Sequence, residues 1–236
     1  MRSILFITIF LTISATAFSQ DAASVCIKIN ALNAAVTNGT IKKSDAAKQF
    51  KQLITSLKDN RRVLMNNHWI FPLQGYNYRA IGGTNGNGYS DKGYNYLEGN
   101  RHLAHPAHDI FINDKNQDGY DDRTQQPVNV LAVDTGIVIA CTNEWDPSSN
   151  LRGGKYIWIY HPQLDIITYY AHNRAIFVKP GDWVKQGQKI AEVGRTGYNA
   201  YKKRSPTHLH FSAFHIINGL PVPYNCYAQL KIASKL

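Results

Sequence analysis

From about Trp69 the chain is a succession of short β-rich runs, at 128–133, 137–140, 156–160, 166–170, 190–193 and 208–214, separated by Gly- and Asn-rich turns. No long helical periodicity interrupts them. The expected fold is therefore mainly β, an antiparallel domain over 66–236 that is sandwich-like or partly barrelled. Ahead of it, residues 21–65 read as a helical hairpin. Val25, Ile29, Leu32, Ala35 and Val36 recur at helical spacing, and Asn38-Gly39 breaks the pattern. Ser44-Asp45 is expected to cap a second helix carrying Ala47, Phe50, Leu53, Ile54 and Leu57. This hairpin carries no identifiable chemistry, and the sequence leaves open whether it packs on the β domain or holds a partner.

Residues 1–20 have the form of a signal peptide. Arg2 gives the positive start, 4–13 is an apolar stretch too short to span a bilayer, and 15–20 is small and polar. The expectation is a periplasmic or secreted protein with no stable membrane insertion after cleavage. Of the 236 residues, 26 are Lys or Arg and 16 Asp or Glu, a net charge of +10 at pH 7. That balance suits anionic surfaces such as cell wall, or serves plain solubility. The basic residues are scattered apart from Lys202, Lys203 and Arg204, so no nucleic-acid partner is expected. The three cysteines, Cys26, Cys141 and Cys226, lie too far apart for a Cys-rich zinc site. Export permits one disulfide among three possible pairings, and the sequence does not choose between these and three free thiols.

The chemistry is carried by histidines. His208-Leu209-His210 lies in an apolar strand-like run. Strand side chains alternate, so His208 and His210 share one face while Leu209 and Phe211 enter the opposite layer. Two adjacent imidazoles suit metal binding, or one ligand beside one catalytic base. His105 and Asp109 are four apart, just before the apolar run 110–112. In an extended segment they share a face, and a His with a carboxylate suits zinc. Two His and one Asp leave a coordination position open for water, as a catalytic zinc requires. His172 closes Tyr170-Ala171-His172 at the end of another strand and can serve as a proton acceptor. The Gly-, Asn- and Tyr-dense segment 82–100 is either a mobile surface loop or a loop beside a substrate groove, with Tyr89, Tyr94 and Tyr96 available for stacking.

The order and spacing of HPAHDIFI, PVNVLAVDTGIVIA, KYIWIYHP, ITYYAHN, VKPGDWVKQGQKIAEVGRTG and PTHLHFSAF make residues 103–215 resemble the lysostaphin-type, M23 family of metallopeptidases. The resemblance implies one zinc on His105, Asp109 and His210. It assigns His172 and His208 to catalysis, without settling which is the base. It further implies a zinc endopeptidase cutting peptide bonds in peptidoglycan stem peptides or cross-bridges. Some relatives have lost ligands and only bind wall or activate amidases; here all five positions are intact. An exported peptidase acting on non-wall protein would look the same.

The chain departs from the family pattern at His108, where a small residue is usual, and at Asn173, where Leu is common. His108 is expected to face away from the site, and His161 is taken as structural. Asp114, Asn116, Asp118 and Asp122 alternate as oxygen ligands do in calcium loops, with Gly119 at the turn. Gln125 stands where an EF-hand needs Glu, so the choice is between a single calcium-stabilised loop and turn chemistry alone. The bond cut and the oligomeric state are not readable from the sequence.

Overall fold

The structure, a computed structural model, describes residues 7–58 and 68–236, with side chains described from Asp21 onward. The expected leader, 1–20, and the end of the expected hairpin, 59–65, fall wholly or partly outside those limits. Helix α1 (Ile7–Asn38) and helix α2 (Lys43–Ser56) form the hairpin. Val25, Ile29, Leu32 and Val36 are buried, as their spacing requires. Gly39 ends α1 with φ +69°, and its N–H bonds back to Val36 O at 3.1 Å. In α2 the buried side chains are Ala46, Phe50 and Ile54. Two details differ from expectation: Ala46 rather than Ala47 faces in, and Ser44 caps nothing, since α2 starts at Lys43 with no side-chain cap. No helix among the described residues is long and apolar enough to cross a membrane.

Among the described residues nine strands join one antiparallel sheet that does not close into a barrel. They are β1 (His108–Phe111), β2 (Asn129–Leu131), β3 (Gly136–Thr142), β4 (Lys155–His161), β5 (Ile166–Ile176), β6 (Trp183–Val184), β7 (Lys189–Val193), β8 (His208–Ile217) and β9 (Leu220–Tyr224). The main path runs β1-β8-β5-β4-β3-β6. The long β5 pairs with β4 and β8 along its first half and with β7 along its second, across a bulge between Asn173 and Ala175. That bulge bends the sheet. Strand β9 holds Pro221 and Pro223 at an edge, where a missing N–H is harmless. A short helix, α3 (Tyr227–Ile232), follows it.

Side-chain alternation divides the core in two. One face gathers Phe71, Leu73, Val130, Ile157, Ile159, Tyr170, Ile190, Leu209 and Phe211. The other gathers Trp158, Tyr160, Ile167 and Phe214, and here α1 and α2 add Ile29, Leu32, Phe50 and Ile54. Each such side chain contributes about 1.5–3 kcal/mol by leaving water, which is why the hairpin stays on this face. The consequence for function lies in strand parity. His208, His210, Ser212 and Phe214 alternate onto the same side of β8, so the hairpin covers one end of the face whose other end carries the histidines. The three cysteines are free. Burial pushes the thiols of Cys26 and Cys226 up to about 12 and that of Cys141 to about 11.

Candidate metal centre

Strands β1 and β8 pair with Asp109 opposite His210 and Phe111 opposite His208. The parity expected for the His-Leu-His run holds: Leu209 and Phe211 are fully buried in the opposite core, and Ile110 joins them from β1. Asp109 Oδ1 lies 3.0 Å from His210 Nδ1 and 3.6 Å from His208 Nε2, while Oδ2 lies 3.3 Å from His105 Nε2. His105, Asp109 and His210 can each offer a ligand atom within 4.8 Å of the others, and so can His172, His208 and His210.

His105 reaches this point by a route that simple alternation does not give. Its N–H and C=O pair with Ser90, and the chain then bends, with Ala107 N–H bonding to His105 O at 2.8 Å, before β1 begins at His108. The segment is not extended from 105 to 109, so sharing a face is the work of the Ser90 pairing. His108 turns the other way, as expected. It is buried, its Nε2 lies 3.0 Å from Asn225 Oδ1, and it stacks on Tyr89.

His172 lies within β5 rather than at its end, next to the bulge, and has φ +68°. A left-handed conformation is uncommon for a residue with a Cβ and often marks a functional position. Its N–H bonds to Gly153 O at 2.9 Å. Gly197, at φ +112°, passes so close that a Cβ there would sit 2.8 Å from His172 Nδ1.

Three imidazoles have one nitrogen held by a backbone carbonyl. Nδ1 of His105 lies 3.1 Å from Gly88 O, that of His172 2.8 Å from Thr196 O, and that of His208 2.7 Å from Pro206 O. A carbonyl only accepts, so each Nδ1 carries the proton and each Nε2 presents a lone pair. Two imidazole nitrogens and a carboxylate are a zinc donor set, and a carbonyl behind a ligand imidazole is the usual outer support of such sites. The residues therefore fit the metal. Burial pushes the Asp109 carboxyl up, but the neighbouring His105 and His210 imidazoles outweigh it and hold the group well below the usual carboxylate range. The Asp109 carboxylate, which can accept a hydrogen bond from the protonated ring, raises His105, whereas burial lowers His210 and, more strongly, His172.

A cavity of about 340 Å³ opens on these histidines and extends beneath the hairpin. Its walls include Trp158, Tyr169 and Phe214 from the sheet, Asn33, Val36 and Thr37 from α1, and Tyr94, Tyr96 and His102 from the segment before β1. The 82–100 segment is thus part of the site, with Tyr94 and Tyr96 in the cavity and Tyr89 elsewhere, on His108. Arg152, His102 and Tyr169 also line it, and no sequence pattern marked them. The acidic loop takes the turn-chemistry form. Asp114 Oδ1 and Oδ2 accept from the N–H groups of Asp118 and Gly119 at 3.1 and 2.9 Å, Oδ2 also accepts from Thr207 Oγ1 at 2.6 Å, and Asp122 Oδ2 accepts from Lys115 N–H at 3.1 Å. Among the described residues no metal-competent cluster includes Asp114, Asp118 or Asp122, and the calcium reading finds no support.

An antiparallel sheet presenting a His/Asp donor set beside two further histidines defines a metallopeptidase-like domain. Residues 115–223, which span most of this β domain, match the family described as Peptidase family M23. The matched stretch contains His172, His208 and His210, and begins after His105 and Asp109. A Lipoprotein NlpD/LppB homolog of Pseudomonas aeruginosa is 39% identical over 83 residues, 35% of this chain and 24% of the relative. An uncharacterized metalloprotease of Buchnera aphidicola is 32% identical over 85 residues, 36% of this chain and 19% of the relative. The chain thus spans about a quarter or less of the length of these curated relatives. Among solved structures, the catalytic domain of the antimicrobial peptidase lysostaphin from Staphylococcus simulans is 27% identical, covering 57% of this chain and 81% of that one at TM-score 0.39. A putative glycyl-glycine endopeptidase lytM from Ruminococcus gnavus is 21% identical, covering 82% and 74% at TM-score 0.48.

Proposed function

We propose that this protein is a zinc-dependent endopeptidase, acting outside the cytoplasm, that hydrolyses peptide bonds in the stem peptides or cross-bridges of bacterial peptidoglycan. The observation that carries this reading is the convergence of five side chains, His105, Asp109, His172, His208 and His210, on one mouth of one cavity. Convergence of all five favours catalysis over a silent wall-binding or amidase-activating module, which needs none of them.

His105 through Nε2, Asp109 and His210 through Nδ1 would hold the zinc. When bound, zinc supplies Lewis acidity towards a carbonyl and a water. His172 and His208 each keep Nδ1–H on a backbone carbonyl and turn Nε2 into the site. In this tautomer each accepts a proton at Nε2 and, once protonated, donates from the same atom. One such residue takes the proton of the attacking water, and the other supports the oxygen on which negative charge develops. The Nδ1–H bond to Thr196 O holds the His172 ring in place before substrate arrives, which lowers the ordering cost of the reaction.

The test is digestion of purified sacculi of differing cross-link chemistry, with mass spectrometry of the products, in the presence and absence of a chelator. New peptide termini that vanish with chelator and return with zinc are expected. If no sacculus yields a zinc-dependent fragment, the proposal is wrong.

A further inference from the structure

Beyond the five site residues, the cavity is lined by one more charged side chain, which has no counter-charge among the described residues. Arg152 sits on the turn between β3 and β4, clipped to the preceding segment through its N–H to Asn100 Oδ1 at 3.0 Å. Asn100 Nδ2 in turn bonds to Asn150 O at 2.7 Å. One guanidinium nitrogen of Arg152 bonds to His102 O. The other two have no hydrogen-bond partner among the described residues, no carboxylate lies within ion-pair distance, and the half-buried side chain lines the cavity.

The shape of the cavity matters as much as the charge. At the end away from the histidines, α1 and the turn at Tyr96–Arg101 meet, and Gly99 packs against the Val36 carbonyl so closely that no Cβ would fit. Trp158 and Phe214 form an aromatic floor, stacked at 5.1 Å between ring centroids. The Tyr96 ring lines this end, while its hydroxyl is sealed from solvent and has no hydrogen-bond partner among the described residues. This arm is walled by the hairpin and mostly apolar, and the free cation of Arg152 lines the same cavity. Burial and then the Arg152 charge depress His102 to about 4, so that ring is neutral and does not compete for an anion.

We propose that Arg152 is a carboxylate-recognition residue, reading a free carboxylate of the peptide substrate that enters the hairpin-walled arm of the cavity. A fork of unused N–H donors in a partly desolvated site matches a carboxylate better than any other group a peptide offers. This rests on the peptidase reading of the site. In a stem peptide whose diamino acid is lysine, two carboxylates have the required chemistry, the chain-terminal one and an internal isoglutamyl α-carboxylate.

The test uses four forms of one stem peptide, in which each of these two carboxylates is either free or converted to carboxamide. Each is titrated calorimetrically into the zinc-loaded full chain in the cold, and the peptide is checked intact by mass spectrometry. Amidating one of the two positions is expected to weaken binding about tenfold or more, and the position that responds identifies the source. In Arg152→Gln the difference between free and amidated forms should collapse. The wild-type comparison needs no variant, so poor folding of Arg152→Gln does not remove the test. The proposal is overturned if amidation at neither position changes affinity by more than about twofold, if the discrimination survives in Arg152→Gln, or if none of the four peptides binds. Sacculus digestion fails or succeeds separately. A protein that cleaves sacculi without carboxylate preference defeats only this inference, and one that prefers carboxylates but cleaves nothing defeats only the peptidase reading.

Discussion

Asp109 and His210 are direct partners across the β1–β8 pair, and the carboxylate accepts the His210 Nδ1 hydrogen bond at 3.0 Å. Backbone pairing thus sets two of the three proposed ligands side by side before any metal binds. We expect one zinc per chain by elemental analysis. His210→Ala should lower zinc affinity by more than the roughly 10–100-fold that loss of an outer support costs, and peptide cleavage should go with it. A His210→Ala protein that retains stoichiometric zinc in its site would remove His210 from the ligand set.

His172 is proposed to act on protons and not to hold the metal. His172→Ala should leave zinc content unchanged while kcat falls about 10²–10⁴-fold. Loss of zinc along with activity would reassign it as a ligand.

Gly197 tests the geometry around the same ring. A Cβ at this left-handed position meets His172 Nδ1, so Gly197→Ala should displace the imidazole and depress kcat more than it raises KM. Wild-type kcat in a folded Gly197→Ala protein would show that the ring position is not demanding.

The Asp114 carboxylate holds Thr207, the residue before His208, and Arg195 bonds to the same Thr207 hydroxyl at 3.0 Å and to Ser205 O at 2.8 Å. This clasp fixes the entry to β8. Asp114→Ala should cost about 1–3 kcal/mol in urea unfolding, because buried donors lose their acceptor. Millimolar calcium should leave the wild-type Tm unmoved; a saturable rise would reinstate a calcium site in this loop.

His161 gives a pH signature. Its Nδ1 lies 2.9 Å from Thr135 O and its Nε2 2.8 Å from Thr168 Oγ1, and burial depresses its pKa from 6.5 to about 4. As pH falls the unfolded chain takes the proton first. The contribution is therefore complete above about 6.5 and is lost progressively down to about 4. Between pH 7 and pH 5 the wild type should lose about 2 kcal/mol more than His161→Gln. Parallel losses in the two proteins would argue against a buried neutral imidazole.

Much of this was legible in one dimension. Alternation over 208–214 gives the shared face of His208 and His210, because strand parity is a property of the local backbone. Helical spacing gives the buried stripe of α1, and Asn38-Gly39 its end. The same logic failed between His105 and Asp109, where a bend breaks the alternation and the pairing partner is Ser90. It also misjudged Ala47, since neighbours on a helix are decided by what packs against them.

By itself, the sequence determined the antiparallel β class, the helical hairpin, the family resemblance and the residue types able to bind zinc, all of which follow from local periodicity and side-chain chemistry. Only the tertiary structure decided that the hairpin lies on the histidine-bearing face, that the three thiols stay unpaired, that the Asp114 loop grips Thr207, and that Arg152 faces the cavity. Each of these depends on contacts between segments far apart in the chain. Burial and sheet pairing fix such contacts jointly, and no stretch of sequence contains that information alone.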